Sequence, residues 1–468
     1  MAVLNKLCRL MPLAMVVAAP WGLWAQTPAE MAAILARLDK LERENHELSA
    51  EVKALRARLD GEPVETAADG SNGGSAAADS AEAAPAHDAP AAAPQPLEDK
   101  MAIAQQRIEE LNQTKVEASE HFPIRLTGMA LFNAYSNSKQ GGGLEYPVTA
   151  ANTAAASAGA TFRQTIIGLD FRGPGTFLGG TVHGNVYMDL FGTGIGLRMR
   201  TGEIEVQWQS RSIMFGVEKP IFNPREPSSL AQMGVSPLTG TGNLWLWLPQ
   251  ARVEQDFRFG QSSGLRAQMG VIATREVGPY AGTNFTGTVE AVRPGLEGRY
   301  ELFHNLDDSR HLEFAAGFHT SVTHAGGQSI DSNLVSLDWG FNPLRRVEFT
   351  GAFYSGQNVA PLGEGYQQGF GFRYREAYAV HSRGGWGQLT FHLLPRLDLH
   401  VFSGQQNDDA DDLTSGRIAR NLLYGGNLYF RLAPNVLLGW EATQLRTVYL
   451  GQGVRINNHY DLALAYLF

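Results

Sequence analysis

In the last eleven residues of the chain, large apolar side chains recur at every second position, with the smaller or polar Asp461, Ala463 and Ala465 between them. The large side chains belong to Tyr460, Leu462, Leu464, Tyr466 and Phe468. A period of two residues indicates a β-strand with two chemically different faces. A tilted strand of this length rises roughly 25 Å, which is the height of the apolar band of a membrane β-barrel. The end of the chain therefore predicts a strand that crosses a bilayer with one face in lipid.

The same alternation continues along the chain from Phe122 onward. Seven short turns and eight longer loops join sixteen predicted strands. Short turns belong on the periplasmic side of an outer-membrane barrel and long loops outside the cell. We therefore expect residues 121–468 to form an all-β transmembrane barrel of 16 antiparallel strands with both ends in the periplasm. Two of the gaps counted as long loops are His324–Asp331 and Leu450–Asn457.

Other membrane and soluble folds fit the pattern less well. No stretch after the N-terminus has 18 consecutive apolar residues, which excludes a helical membrane protein. A soluble β-sandwich would also alternate, and one strand places Val253 and Phe257 on one face with Arg252 and Asp256 on the other. Unpaired charge in a sandwich core costs several kcal/mol per ion, whereas a water-filled lumen hydrates it. The charged inner face therefore favours a barrel.

Four segments precede the predicted barrel. Residues 1–25 are typical of a secretory signal peptide, and this segment holds Cys8, the one cysteine in the sequence. Residues 26–60 carry a heptad repeat, with Ile34, Leu41 and Leu48 in one seam, so we expect an α-helical coiled coil; a lone amphipathic helix is the alternative. Residues 61–96 are rich in Ala, Pro and Gly and predict a disordered linker. Residues 97–120 predict a short helix, either a plug or a collar at the barrel mouth.

Arginine is the dominant basic residue of the barrel segment, where Lys139 and Lys219 are the two lysines. The apolar pattern changes parity near Thr201–Gly202, and Arg198 and Arg200 reach the lumen if a β-bulge at Gly202 reconciles the two halves. Further lumen arginines are expected at Arg252, Arg258, Arg266 and Arg299. Guanidinium groups stay charged and match carboxylate and phosphate, so these residues predict an anion preference. The alternative is that they pair with nearby acids, Glu203, Glu205, Glu254 and Asp256, and leave little selectivity.

The loop Lys219–Asn243 is the most distinctive of the predicted loops. It contains four prolines, is moderately apolar, and carries Lys219, Arg225 and Glu226. A segment that folds into the lumen needs apolar residues to pack on the wall and charges at the constriction. We expect this segment to do so; an ordinary external loop is the alternative.

Three segments give the chain a resemblance to a known family. They are G-L-R-M-R-T-G-E-I-E-V-Q-W at 196–208, S-I-M-F-G-V-E-K-P-I-F-N-P at 212–224 and L-P-Q-A-R-V-E-Q-D-F at 248–257. With the coiled coil, the linker and the barrel, this layout resembles the DcaP family of trimeric porins. The resemblance implies uptake of small anions such as dicarboxylates, with Arg198 and Arg200 as lumen contacts. Phosphate-selective porins are a competing family, but their lumen is lysine-rich.

The expected function is passive diffusion of small, mainly anionic solutes across the bacterial outer membrane. Expected partners are two further copies of the chain in a homotrimer, outer-membrane lipids and lipopolysaccharide. A structural tether from the membrane to the cell wall through the coiled coil is an alternative. We find no nucleophile, metal-ligand or phosphate-cradling motif, so no enzymatic activity, metal or cofactor is expected, and the net charge of −9 argues against nucleic acid.

Overall fold

The structure is a computed structural model that describes residues 124–192, 196–281 and 285–468. Its main sheet has sixteen strands: β1 Ile124–Asn137, β2 Ser157–Thr161 with Ile166–Gly175, β3 Thr181–Asp189, β4 Arg198–Gln207, β5 Arg211–Glu218, β6 Leu248–Arg258, β7 Ser263–Ala273, β8 Pro294–Asp307, β9 Arg310–Ala325, β10 Gln328–Leu344, β11 Val347–Gln357, β12 His381–Leu394, β13 Leu397–Asp408, β14 Ile418–Ala433, β15 Val436–Tyr449 and β16 Gly453–Leu467. The signal peptide, coiled coil, linker and 97–120 helix predicted above lie outside the described residues.

Every strand of this sheet runs antiparallel to its neighbours, and the sheet closes on itself. Both segments of β2 pair with β1, so they are one strand interrupted at 162–165. On its other side β1 pairs with β16, from Met129 opposite Leu467 to Asn137 opposite His459. The predicted 16-stranded antiparallel barrel is confirmed.

The connections alternate between the two ends of the barrel. Those at the end where β1 begins and β16 finishes are 2–5 residues long, and the opposite end carries the long loops. Outside the sheet, the described residues form three 3₁₀ turns and a small hairpin: Phe177–Gly179, Ala360–Leu362, Ala410–Asp412, and Phe370–Arg373 with Glu376–Ala379. None of the helices among the described residues is long and apolar enough to cross a membrane.

Two predicted long loops, His324–Asp331 and Leu450–Asn457, are wrong in length. The connections are only 326–327 and 450–452, because the flanking strands stay paired beyond the apolar band. Gly326 and Gly327 have φ angles of 58° and 78°, as a two-residue hairpin of this hand requires. At the 326–327 turn the outward side chains of His324, Ser329 and Asp331 are polar, so the apolar alternation fades before these two strands end.

The two faces of the sheet differ as predicted. On β16, the outward side chains of Leu462 and Leu464 are exposed, whereas Asp461 and Ala463 are buried inside the barrel. On β6, Val253 and Phe257 are likewise exposed on the outer wall. An exposed apolar belt of this extent is the surface that a bilayer solvates. We therefore treat the strands as membrane-spanning.

The apolar belt predicts that a charged side chain on the outer wall costs more free energy the closer it lies to the middle of the bilayer. We expect Leu462→Arg, in the middle of β16, to lower the free energy of unfolding in lipid vesicles by about 2–4 kcal/mol. Val454→Arg, on the same face at the end of β16, is the matched control and should cost roughly 0–1 kcal/mol. Equal effects of the two substitutions in urea titrations would contradict the placement of this face in lipid.

Candidate pore constriction

Residues 219–247, which we call the inserted loop, fold into the barrel. Its backbone is held by inward-facing side chains of strands around the whole circumference. The hydrogen bonds run from Ile221 N to Glu297 Oε2 (2.7 Å), from Ser336 Oγ to Phe222 O (3.0 Å), from Ser228 N to Gln388 Oε1 (2.8 Å), from Asn427 Nδ2 to Ser228 O (2.8 Å) and from Asn133 Nδ2 to Leu230 O (2.9 Å). The prediction that this segment enters the lumen is confirmed.

Apolar side chains of the inserted loop complete the anchoring. Leu238 packs in one buried cluster with Trp386 and Phe402, and Leu230 packs in another with Met129 and Leu131. Each fully buried leucine contributes roughly 1.5–3 kcal/mol relative to an exposed one. Part of the inner wall is therefore an apolar core built around the loop.

The β4 arginines meet at the tip of the inserted loop. Arg198 Nε donates to Asp189 Oδ1 at 3.0 Å, and Arg200 Nη1 donates to Asp189 Oδ2 at 3.1 Å. Both guanidinium groups also donate to backbone oxygens of the loop, those of Gly234 and Met233. The two guanidinium groups thus connect the wall to the loop directly, and a single buried carboxylate, Asp189, holds both of them.

The predicted β-bulge that turns both arginines inward is present, but it lies two residues before Gly202, where it was expected. Tyr187 pairs with Thr201 and Met188 pairs with Met199, which leaves Arg200 as the extra residue. Because of this extra residue, even-numbered residues before the bulge and odd-numbered residues after it face the same way. Leu197 and Met199 accordingly lie on the outer wall with exposed side chains.

The two β4 arginines carry more positive charge than their ion partner Asp189 neutralises. Two guanidinium groups share one carboxylate, and Arg200 lies 4.4 Å from the centroid of the Trp247 ring. Arg198 is the more accessible of the two, with 32% of its side chain exposed. Its guanidinium lies 5.3 Å from the Phe191 ring, on which Arg163 also stacks at 4.4 Å. Arg163 has its own partner, Glu145, at 3.4 Å.

Around Arg225, the arginine of the inserted loop, carboxylates outnumber arginines. Arg225 contacts Asp338 (2.7 Å), Glu313 (2.8 Å) and Glu301 (3.1 Å). Arg299 and Arg266 join the same group, and Arg266 also contacts Glu254 (3.2 Å) and Asp256 (3.0 Å). Three arginines therefore face five carboxylates. We call these eight residues the Arg225 cluster; a cavity of about 440 Å³ opens beside it in the lumen.

Among the described residues, the other predicted site residues form no ion pair with these two groups, although Glu226 lines the same cavity as the Arg225 cluster. Lys219 pairs with Glu226 within the inserted loop. Arg252 is half-buried on β6, and its Nε makes no hydrogen bond within the described residues. Arg258 is exposed at the short-turn end of β6, with no ion partner in the described part of the chain.

The sequence did not single out Gln164, although it is a principal anchor of the loop tip. It lies in the break between the two segments of β2, and its side chain is buried. Its Nε2 donates to Ala231 O at 2.9 Å, and its Oε1 accepts from Gly234 N at 3.1 Å. The one signal in the sequence is a polar side chain at the point where the apolar alternation of β2 is interrupted.

A second loop, residues 358–380, clamps the inserted loop from the long-loop end. Leu246 N donates to Leu362 O at 3.2 Å. Next to this contact, Glu364 is buried and accepts from Gln368 N at 2.8 Å and from Gln406 Nε2 at 3.3 Å. Burial, together with the neighbouring Asp408, raises the pKa of the Glu364 carboxyl well above its usual range.

Comparisons with known proteins agree with this architecture. No family model matches the chain, and no curated protein matches it. Among solved structures, the outer membrane channel DcaP of Acinetobacter baumannii has the same fold, with 16% identity and a TM-score of 0.60 over 74% of this chain and 97% of that one. The anion-selective porin from Comamonas acidovorans is similar at 12% identity and a TM-score of 0.51, over 74% of this chain and all of its own.

The contacts of Gln164 predict that it holds the loop tip in place. Gln164→Ala leaves buried backbone groups of the loop without partners, which costs roughly 1–3 kcal/mol. We expect a lower free energy of unfolding and larger fluctuations of single-channel current. Gln255→Ala, an outward residue at the short-turn end of β6, is the control. Unchanged stability and current noise in Gln164→Ala would refute the anchoring role.

Glu364 predicts a pH dependence of the 358–380 loop. The pKa of the Glu364 carboxyl is higher in the folded protein than in the unfolded chain, where it is about 4.3. The protonated carboxyl therefore stabilises the folded loop fully below pH 4.3, and this stabilisation is lost as the pH rises through the pKa of the folded state. Amide protection of residues 358–380 should therefore fall with increasing pH in the wild type and fall less in Glu364→Gln. Glu290→Gln, in an exposed loop, should behave as the wild type. Amide protection that rises with pH in the wild type would contradict a raised pKa of Glu364 in the folded loop.

Proposed function

We propose that this protein is an outer-membrane diffusion channel for small hydrophilic solutes and that it favours anions such as dicarboxylates. The observation that carries the proposal is the pair of β4 arginines, which share one carboxylate inside a membrane-spanning barrel. A partly exposed guanidinium at a constriction lowers the barrier for an anion and raises it for a cation. The two similar structures, of a channel and of an anion-selective porin, support the same proposal.

The inserted loop determines where a solute must pass. The backbone of the loop is hydrogen-bonded to β8 on one side of the barrel and to β1 on the other. The open part of the lumen therefore lies beside the loop. A solute that crosses the barrel passes between the inserted loop and the charged inner wall. The loop thus restricts the channel to small solutes, and the charges around it select among them.

A dicarboxylate fits the chemistry around Phe191. The guanidinium groups of Arg163 and Arg198 both stack on this ring and so offer two donors in one neighbourhood. Planar guanidinium groups bind carboxylates through two parallel hydrogen bonds. The Arg225 cluster has more acids than arginines, so we assign it to holding the loop and repelling small anions from that side of the lumen.

The homotrimer and the periplasmic coiled coil belong to the same proposal. The heptad seam of residues 26–60 supports association of several copies. Both ends of the barrel segment lie on the short-turn side, which is the periplasmic side if the long loops face outward. A coiled coil attached there stays in the periplasm.

Removing the exposed arginine should reduce the anion preference. In planar bilayers under a salt gradient, we expect Arg198→Gln to lower the ratio of anion to cation permeability about fivefold, because one charge at about 4 Å in water contributes about 1 kcal/mol. Arg258→Gln removes an inward charge away from the loop tip and should leave the ratio nearly unchanged. A wild-type reversal potential on the cation side would exclude the anion preference, and the absence of current steps would exclude the channel.

A further inference from the structure

Three arginines on the outer wall of the barrel are left without ion partners. Arg383 is the third residue of β12, Arg420 is the third of β14, and Arg446 lies near the end of β15. All three side chains are exposed, and none forms an ion pair within the described residues. They face away from the lumen, since their strand neighbours Ser382, Asn421 and Leu445 are the buried ones.

Strand pairing places these arginines close together. Asn407 of β13 lies opposite Arg383 on one side and opposite Arg420 on the other. Two strand spacings separate Arg383 from Arg420, which is about 10 Å. Arg446 lies opposite Leu422, which makes it a diagonal neighbour of Arg420 at about 7–8 Å. The three guanidinium groups therefore lie within the span of one lipid headgroup.

The surrounding wall offers uncharged donors and no acid. The outward side chains of β11 to β16 include no aspartate and no glutamate. Arg446 Nε donates to Gln444 Oε1 at 2.7 Å, and its guanidinium lies 5.7 Å from the Tyr424 ring. Asn407 and Gln405 contribute amides on β13. The loop that follows β13 carries Asp409, Asp411 and Asp412, of which Asp412 pairs with His381 at 2.9 Å. The excess of basic side chains is therefore confined to the lipid-facing strands themselves, where it is suited to an anionic headgroup.

A groove in the same wall runs beside the arginines. It has a volume of about 630 Å³ and includes Arg383 at its rim. Gly385 and Gly387 form part of its floor, and Trp339, Phe353 and Leu422 form apolar sides. Glycine on a lipid-facing strand leaves room that a side chain would otherwise fill. The groove can hold an acyl chain while the rim holds its headgroup.

We infer that this outer-wall site binds one phosphorylated lipid of the outer leaflet, with its phosphate on the three arginines and an acyl chain in the groove. The lipid of that leaflet with this chemistry is the lipid A part of lipopolysaccharide. The inference rests on the orientation given under Proposed function but not on ion conduction. A neighbouring copy that meets the patch with its own β11 to β16 is the less suitable occupant, because burying three arginines against these strands would require carboxylates that their outward faces do not supply.

Native mass spectrometry of the detergent-purified full chain tests the site. We expect bisphosphorylated lipid A to bind to each barrel, and each of Arg383→Gln, Arg420→Gln and Arg446→Gln to weaken binding about tenfold, the effect of one charge-assisted hydrogen bond. Arg211→Gln, an exposed outward arginine at the short-turn end of β5, is the matched control. Arg420→Lys should recover part of the affinity, since it keeps the charge but loses the planar fork.

A fourth variant tests the groove separately. A Cβ at Gly387 would lie 3.4 Å from the Phe349 ring, an ordinary contact, so Gly387→Leu should fold and fill the groove floor. It should weaken lipid A binding. Inorganic phosphate alone should not compete with bound lipid, because it lacks the acyl chain.

Three results would overturn the inference. They are equal binding by the arginine variants and the wild type, binding of phosphate in place of lipid, and oxidative cross-linking of Asn407→Cys between copies in the membrane, which would show the patch to be a barrel–barrel contact. Loss of conduction with lipid binding intact would reject the proposed channel and leave the lipid site standing.

Discussion

The pairing of β1 with β16 is the contact on which the rest of the structure depends. In a bilayer core an unpaired backbone amide costs several kcal/mol, so a spanning sheet is stable only when it has no edge. Closure over sixteen strands makes a ring too wide for wall side chains to fill. The inserted loop occupies that space, and its own backbone groups then need partners, because buried amides and carbonyls are rarely left unpaired. The polar inward side chains of Asn133, Gln388 and Asn427 supply them.

Charge in the lumen has two different uses. In the Arg225 cluster, nearly buried Arg299 is tolerated because Glu301 and Asp338 lie against it; removal of one partner would leave a buried charge uncompensated. At the loop tip, Arg198 and Arg200 hold the backbone of the loop, but their single carboxylate leaves positive charge available to a solute. The same type of residue thus anchors the loop on one side and presents charge to the passing solute on the other.

Local patterns predicted much of this architecture. The period-two alternation identified the strands and their faces, and a change of parity located the bulge at Arg200 to within two residues. Prolines and apolar residues marked the inserted loop. Long-range contacts were not accessible in this way: Arg225 meets Glu313 and Asp338 only because strand register brings together residues about 90–110 positions apart. The same holds for Gln164, whose partners lie on the inserted loop, and for the outer-wall arginines, which are separate in sequence and adjacent across the sheet.

Thiol labelling at two consecutive residues tests the central claim, that alternate side chains of these strands meet water and lipid. Arg198 and Met199 differ by one position, and the one native cysteine is Cys8, in the predicted signal peptide. A charged, water-soluble methanethiosulfonate reagent applied to reconstituted protein should react with Arg198→Cys and change the ionic current. The same reagent should leave Met199→Cys unmodified, because charged molecules are excluded from hydrocarbon. Modification of Met199→Cys with Arg198→Cys protected would contradict the account.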